Sequence, residues 1–214
     1  MAASVADLVP KALTAGAVKR LSAAFAGVFP EQAVRTMVED SYLKLAAYAT
    51  IPTHLPLLAE RFAAQRLDAL AHGRAPADGR AARVLFVCTA NSGRSQLAAA
   101  LFNHHAHGTA HAWSAGTAPA SEIEHAVVDS LREIGLDTGD EFPKPLSPEA
   151  VEAADIVVTL GCADAPPLLE GRRYADWPVA DPGGGLAETV RGIRDDIDAR
   201  VTALLAELDT PETA

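Results

Sequence analysis

Val84-Leu85-Phe86-Val87 runs straight into Cys88-Thr89-Ala90-Asn91-Ser92-Gly93-Arg94-Ser95. The first four residues are apolar and rich in valine, which suits a strand buried on both faces of a parallel sheet. Small and turn-forming residues follow, and from Ser95 to about His105 the composition favours a helix. A strand, a tight loop and a helix in that order open an α/β unit. The downstream chain keeps the alternation. Ala112-Trp113-Ser114 reads as a second strand, and Ala126 to Ile134 as a helix ended by Gly135. Ser147-Pro148-Glu149 supplies an N-cap with Pro in the first turn of a short helix. Asp155-Ile156-Val157-Val158-Thr159-Leu160 is the clearest strand in the chain. In the last helix, Leu186, Val190, Ile193, Ile197, Val201, Leu204 and Leu208 recur at gaps of three and four. The pattern predicts an α/β fold: a parallel sheet with helices on both faces, and ligands beyond the carboxyl ends of the strands.

The loop after Val87 stands at such an end. Between Cys88 and Arg94, the residues Thr89, Ala90, Asn91, Ser92 and Gly93 carry little bulk. Successive backbone N–H groups can therefore turn inward as an anion nest at the positive end of the following helix. Arg94 adds a planar, two-pronged donor suited to a tetrahedral oxyanion. The same positive field favours the thiolate form of Cys88, which is the nucleophilic one. A bare match of Cys and Arg six apart is met as readily by a buried Cys and a solvated Arg. The strand before it and the helix after it are what point to chemistry.

Upstream, the sequence changes character. Residues 1–80 hold 9 Lys+Arg and 7 Asp+Glu, a net of +2, whereas residues 81–214 hold 9 and 21, a net of −12. The shift coincides with the breaker-rich Gly73-Arg74-Ala75-Pro76-Ala77-Asp78-Gly79-Arg80, which reads as a linker. Three helices precede it. The first covers about residues 14–28, and the second begins at Pro30-Glu31 with Val34, Val38, Tyr42 and Leu45 on one face. The third follows Thr53, aligning Leu55, Leu58, Phe62, Ala63, Leu67 and Leu70. The expected organisation is a three-helix bundle over 1–75, a linker over 76–82 and an α/β domain over 83–214.

Composition narrows the function classes. Of 214 residues, 49% are hydrophobic and 21% charged, enough for a core without a disordered bulk. A net charge of −10 argues against wrapping nucleic acid, which needs a basic surface. The absence of any run of 18 apolar residues excludes a spanning helix, so no membrane partner is expected. Two cysteines are no disulfide framework, and together with the lack of a secretory signal they point to the cytoplasm. His104, His105, His107 and His111 match no standard zinc spacing, so no metal is expected there, and nothing else in the chain implies a cofactor. A regulatory protein with a DNA-binding N-terminal domain would need a recognition helix with Arg or Lys and often a β-wing, and a net of +2 with no strand signal argues against it.

The stretch from Val84 through Ser95-Gln96-Leu97-Ala98-Ala99-Ala100-Leu101 resembles the phosphate-binding loop of low-molecular-weight protein tyrosine phosphatases, whose fold thioredoxin- and mycothiol-linked arsenate reductases share. Ser114-Ala115-Gly116-Thr117, Pro143-Lys144 with Leu146, Ala154 to Cys162, Tyr174-Ala175-Asp176-Trp177 and Asp181-Pro182 follow in the order the family has them. The segments favour the reductase branch. Residues 1–75, above all Pro52-Thr53-His54-Leu55-Pro56-Leu57-Leu58-Ala59-Glu60-Arg61-Phe62, resemble a three-helix domain that precedes actinobacterial reductases and is thought to mediate dimerisation. The resemblance implies that Asp181 is a general acid, that Ser95 hydrogen-bonds the Cys88 thiolate and that Asn91 holds the loop's shape. It implies an arsenate or phosphate-like oxyanion as substrate, bound by residues 89–94, and thioredoxin, or mycothiol with mycoredoxin, as reductant.

Cys162 separates reduction from hydrolysis. Hydrolysis through a thiophosphate needs only Cys88, Arg94, Asp181 and water, whereas reduction needs a second thiol to attack the sulfur of the Cys88 adduct. Cys162 follows the clearest strand, so the topology can bring it near Cys88; a small buried hydrophobe is the alternative role. The sequence departs from the reductase pattern in having Ala163-Asp164-Ala165-Pro166-Pro167 where a third cysteine is common, which rules out a three-cysteine relay. Ala98, Ala99 and Ala100 replace the carboxylate that potassium-binding members carry, so that ion is not expected. Gly183-Gly184-Gly185 stands where phosphatases place aromatic rings for phosphotyrosine, which weakens the phosphatase reading.

Overall fold

The computed structural model describes residues 9, 11–50, 52–73, 81–139, 141–162 and 168–209. The chain divides into two compact units, Met1–Ala75 and Pro76–Ala214. Most of the stretch read as a linker lies outside the described residues, but its last residue, Ala82, already belongs to a strand.

The first unit is three helices, α1 (Lys11–Ala24), α2 (Glu31–Ala46) and α3 (Leu55–Gly73), with a 3-10 turn at Pro52–His54 before α3. Ala17, Val18 and Leu21 of α1 meet Val34 and Val38 of α2 and Ala63 and Leu67 of α3 in one core. The periodicity predicted this face, but α1 runs earlier than expected and gives way to turns over 25–29, ahead of Pro30. Pro30 is the extended N-cap of α2, not a first-turn residue. Arg66 of α3 is buried and donates to Asp40 Oδ2 (2.6 Å) and Ser41 Oγ (3.0 Å) of α2, so this buried charge is neutralised.

The second unit is a four-stranded sheet made of β1 (Ala82–Cys88), β2 (Ala110–Gly116), β3 (Ile156–Thr159) and β4 (Arg173–Asp176). The order is β2-β1-β3-β4 and every pairing is parallel. The chain steps from β1 to one side and then returns to the other, which makes the carboxyl end of β1 the topological switch point. Val84, Phe86 and Cys88 face a core filled by Leu97, Leu101 and Phe102 of α4 (Arg94–Ala106) and by Val190, Ile193, Ile197 and Val201 of α7 (Ala187–Asp209), joined by Val127 and Leu131 of α5 (His125–Arg132). Leu85, Val87 and Val157 face the opposite way, against Val151 and Ala154 at α6 (Pro148–Ala153). Alternate residues of one strand thus serve two layers of helices.

Two expectations fail in detail. No sequence pattern announces β4, a short edge strand with half-exposed residues and no apolar run. Leu186 fits the apolar spacing of α7 but precedes the helix and is exposed.

Candidate active site

Cys88 is the last residue of β1 and is 2% exposed. The carbonyls that follow it all turn outward. Those of Cys88, Thr89, Ala90 and Ser92 accept the N–H groups of Thr117, Ala118, Ala120 and Glu124 at 2.8–3.2 Å. The Asn91 carbonyl accepts Gln96 Nε2 (3.1 Å) and that of Gly93 accepts Leu97 N (3.0 Å). In a trans peptide the N–H of the next residue points opposite to the carbonyl. Six outward carbonyls therefore aim the N–H groups of residues 89–94 inward, above the start of α4.

Asn91 locks this shape. It adopts φ +48°, a left-handed conformation that asparagine tolerates better than most residues. Its side chain accepts Lys144 N (2.9 Å) and donates to Ser95 Oγ (2.8 Å), while its own N–H donates to Cys88 Sγ (3.2 Å). Ser95 Oγ lies 2.9 Å from Cys88 Sγ. Because Asn91 occupies an acceptor site on that hydroxyl, the Ser95 proton is free to point at the sulfur. Two glycines permit the packing. A Cβ on Gly116 would lie 2.6 Å from Thr89 O, so only glycine lets the end of β2 lie against the loop. A Cβ on Gly161 would lie 2.9 Å from Arg94 Nη1, and its φ of +66° is itself left-handed.

The Arg94 side chain is 9% exposed and donates to Val179 O (3.3 Å) and Asp181 Oδ2 (3.2 Å). Asp181 is 66% exposed at the side chain, and its other oxygen accepts Gly183 N (3.2 Å). Cys162 sits half-buried beyond β3 and its Sγ–H donates to Val87 O (3.0 Å), the carbonyl just before Cys88. Burial pushes the Cys162 thiol up, with the charges of Cys88 and Asp176 adding to the rise and Arg94 opposing it. Both cysteines are free.

The sequence-derived candidates Cys88, Asn91, Arg94, Ser95, Cys162 and Asp181 are thus brought to one sheet end. Residues 163–167, where a third cysteine is absent, lie outside the described residues. Sequence reasoning gave no role to Gln96 or Lys144, which brace the loop from behind. The Lys144 ammonium is buried beside Glu141, 4.9 Å from the Phe142 ring centre. Neither has a periodicity or spacing that marks it. Of the histidines, His105 pairs with Asp198 (2.7 Å), and among the described residues no three His, Cys, Asp or Glu gather as a metal site.

The profile of the low molecular weight phosphotyrosine protein phosphatases matches residues 83–213. The chain belongs to that family. A protein-tyrosine-phosphatase-like N-terminal domain matches residues 15–71. Among solved structures of this family's fold, a thioredoxin-dependent arsenate reductase from Corynebacterium glutamicum superposes with a TM-score of 0.83 at 37% identity, covering 93% of this chain and 98% of that one. A putative arsenate reductase of Halobacterium salinarum is 35% identical over 129 residues, 58% of this chain and 91% of its own length. A glutaredoxin arsenate reductase of Synechocystis is 29% identical over 129 residues, 59% of this chain and 98% of its own. Among the described residues, no helix is long and apolar enough to cross a membrane.

Proposed function

We propose that this phosphatase-family chain is an arsenate reductase, and the observation that carries the reading is the second thiol. Cys162 Sγ rests 3.0 Å from the carbonyl of the residue preceding Cys88, where a hydrolase has no need of sulfur. In the first step the Cys88 thiolate attacks arsenic, while the inward N–H groups of 89–94 and the Arg94 guanidinium hold the oxyanion. An As–O bond breaks, Asp181 gives the leaving oxygen its proton, and an S–As(V) adduct remains. In the second step Cys162 sulfur attacks Cys88 sulfur. The S–S bond forms, the S–As bond breaks, and arsenic keeps the electron pair, which makes arsenite.

Thioredoxin then reduces the Cys88–Cys162 disulfide. This choice leans on the printed description of the Corynebacterium relative, which aligns along nearly the whole chain. Mycothiol with mycoredoxin is the competing reductant, and it would resolve the adduct without Cys162. The second reading, phosphate monoester hydrolysis, is favoured by the family match and by a loop, arginine and aspartate that serve it equally. Arsenite production with each reductant system, measured beside hydrolysis of an aryl phosphate, tests all three. Arsenite with thioredoxin supports the proposal, and brisk ester hydrolysis with no arsenite from either system sinks it.

The three-helix unit is proposed to pair two chains. Leu13, Val28, Tyr48 and Leu57 remain exposed on it and are available to such a contact. In sedimentation the full chain should run as a dimer, and residues 81–214, which hold their own core, as a monomer. A monomeric full-length chain would remove that role. We propose the cytoplasm as the enzyme's location, where thioredoxin keeps thiols reduced.

A further inference from the structure

We infer that Glu124 tunes the charge selectivity of the oxyanion site, favouring the free oxyanion and esters of neutral or cationic groups over esters that carry a second anion. The inference rests on the loop at 88–94 being the oxyanion site, whether the reaction there is reduction or hydrolysis.

Glu124 is the N-cap of α5, a position whose side chain ordinarily accepts a bond from its own helix. Here it makes no such bond. Its Oε1 accepts the Ser92 hydroxyl (3.1 Å), and its N–H donates to Ser92 O (3.0 Å), so the carboxylate is fixed against the loop. Ideal Cβ positions show what surrounds it. One built on Gly93 lies 3.4 Å from Glu124 Oε1 and 2.7 Å from Pro182 Cγ. One built on Gly183 lies 4.0 Å from Glu124 Oε1 and 3.5 Å from Asp181 Oδ1. Glu124 and Asp181 therefore both come within 4.0 Å of one point beside Gly183, where the acid-bearing loop meets the anion loop. The two carboxylates are not equivalent. Asp181 has Arg94 as a counter-ion, whereas Glu124 is held by a neutral hydroxyl, and among the described residues no cation pairs with it.

When Arg94 turns to an oxyanion, a group that projects from it past Gly183 passes both carboxylates. A free oxyanion projects nothing, and a neutral group meets no charge penalty. An added carboxylate about 7 Å from Glu124 meets a repulsion that corresponds to a five- to tenfold loss at an effective dielectric of about 40, and salt weakens it.

The test uses the full chain and two non-hydrolysable probes, phenylphosphonate and a carboxyphenylphosphonate, with binding followed by calorimetry at low and high salt. Glu124→Gln keeps the oxygen that accepts the Ser92 hydroxyl and removes only the charge. The parent should bind the carboxylated probe more weakly, and the ratio of the two dissociation constants should fall about five- to tenfold in Glu124→Gln. In the parent alone, the ratio should shrink as salt rises, a readout that does not depend on the variant folding. A ratio unchanged by both the substitution and salt would show that Glu124 only braces Ser92 and would overturn the inference. With inorganic phosphate as a third ligand, a parent that binds it but neither probe overturns this inference alone, and a parent that binds none of the three overturns the loop as an oxyanion site and with it the proposed function.

Discussion

Cys162→Ser should bring thioredoxin-coupled arsenite formation to background and leave aryl phosphate hydrolysis in place. The first half follows from electron count, because a serine oxygen cannot take part in the disulfide that returns two electrons to arsenic. The second half follows from geometry. Cys162 donates to Val87 O at the end of β1, and a serine hydroxyl can donate to the same carbonyl. Parent enzyme given arsenate without reductant should lose two hydrogens in one turnover and yield a linked Cys88–Cys162 peptide by mass spectrometry. Because burial raises the Cys162 thiol, it rests protonated at neutral pH. The single-turnover rate of disulfide formation should therefore climb with pH from about 7 to 9, as the thiolate fraction grows. If Cys162→Ser keeps full arsenate reduction with a small thiol, the residue is packing and that thiol resolves the adduct.

Asp181→Asn should slow turnover of either oxyanion substrate by about 10²–10⁴-fold, the usual worth of a positioned proton donor. Substrate binding should not weaken, because the residue touches none of the inward N–H groups of the loop and its loss frees Arg94. Folding stability should also hold, since a side chain 66% exposed gives a weak ion pair. The asparagine oxygen can still accept Gly183 N, which keeps the loop's turn. Stopped-flow measurement of the first chemical step separates this from an effect on product release, and equal rates in parent and variant would remove Asp181 from the mechanism.

Much of this site was legible because it is local. The run from Val84 to Ser95 states its own strand, loop and helix, and the apolar spacing of α7 is unambiguous from Val190 to Leu204. The resemblance then placed Asp181 and Cys162, which periodicity alone would have left as a loop acid and a small core residue. What escaped reading is what acts across the fold. Glu124 looks like an ordinary helix-start acid until Ser92 is seen against it, 32 residues away in sequence. The main-chain N–H of Lys144 holds Asn91, and no side-chain type encodes a backbone donor. The edge strand β4 lacks the apolar run that announces a buried one, because only one of its edges is paired.

The outward carbonyls of the loop bear on how the domain assembles. Four of the six are held by N–H groups of residues 117–124, which come into place only after β2 has docked beside β1. The strand, loop and helix that carry the nucleophile cannot by themselves hold the cradle open, and a chain folded only through α4 would possess Cys88 without a place to hold its target. The reactive sulfur is thus matched with its oxyanion cradle only when the sheet has closed around it. Any oxyanion that occupies the cradle binds that finished state alone, so ligand concentration becomes part of the stability of the whole α/β unit.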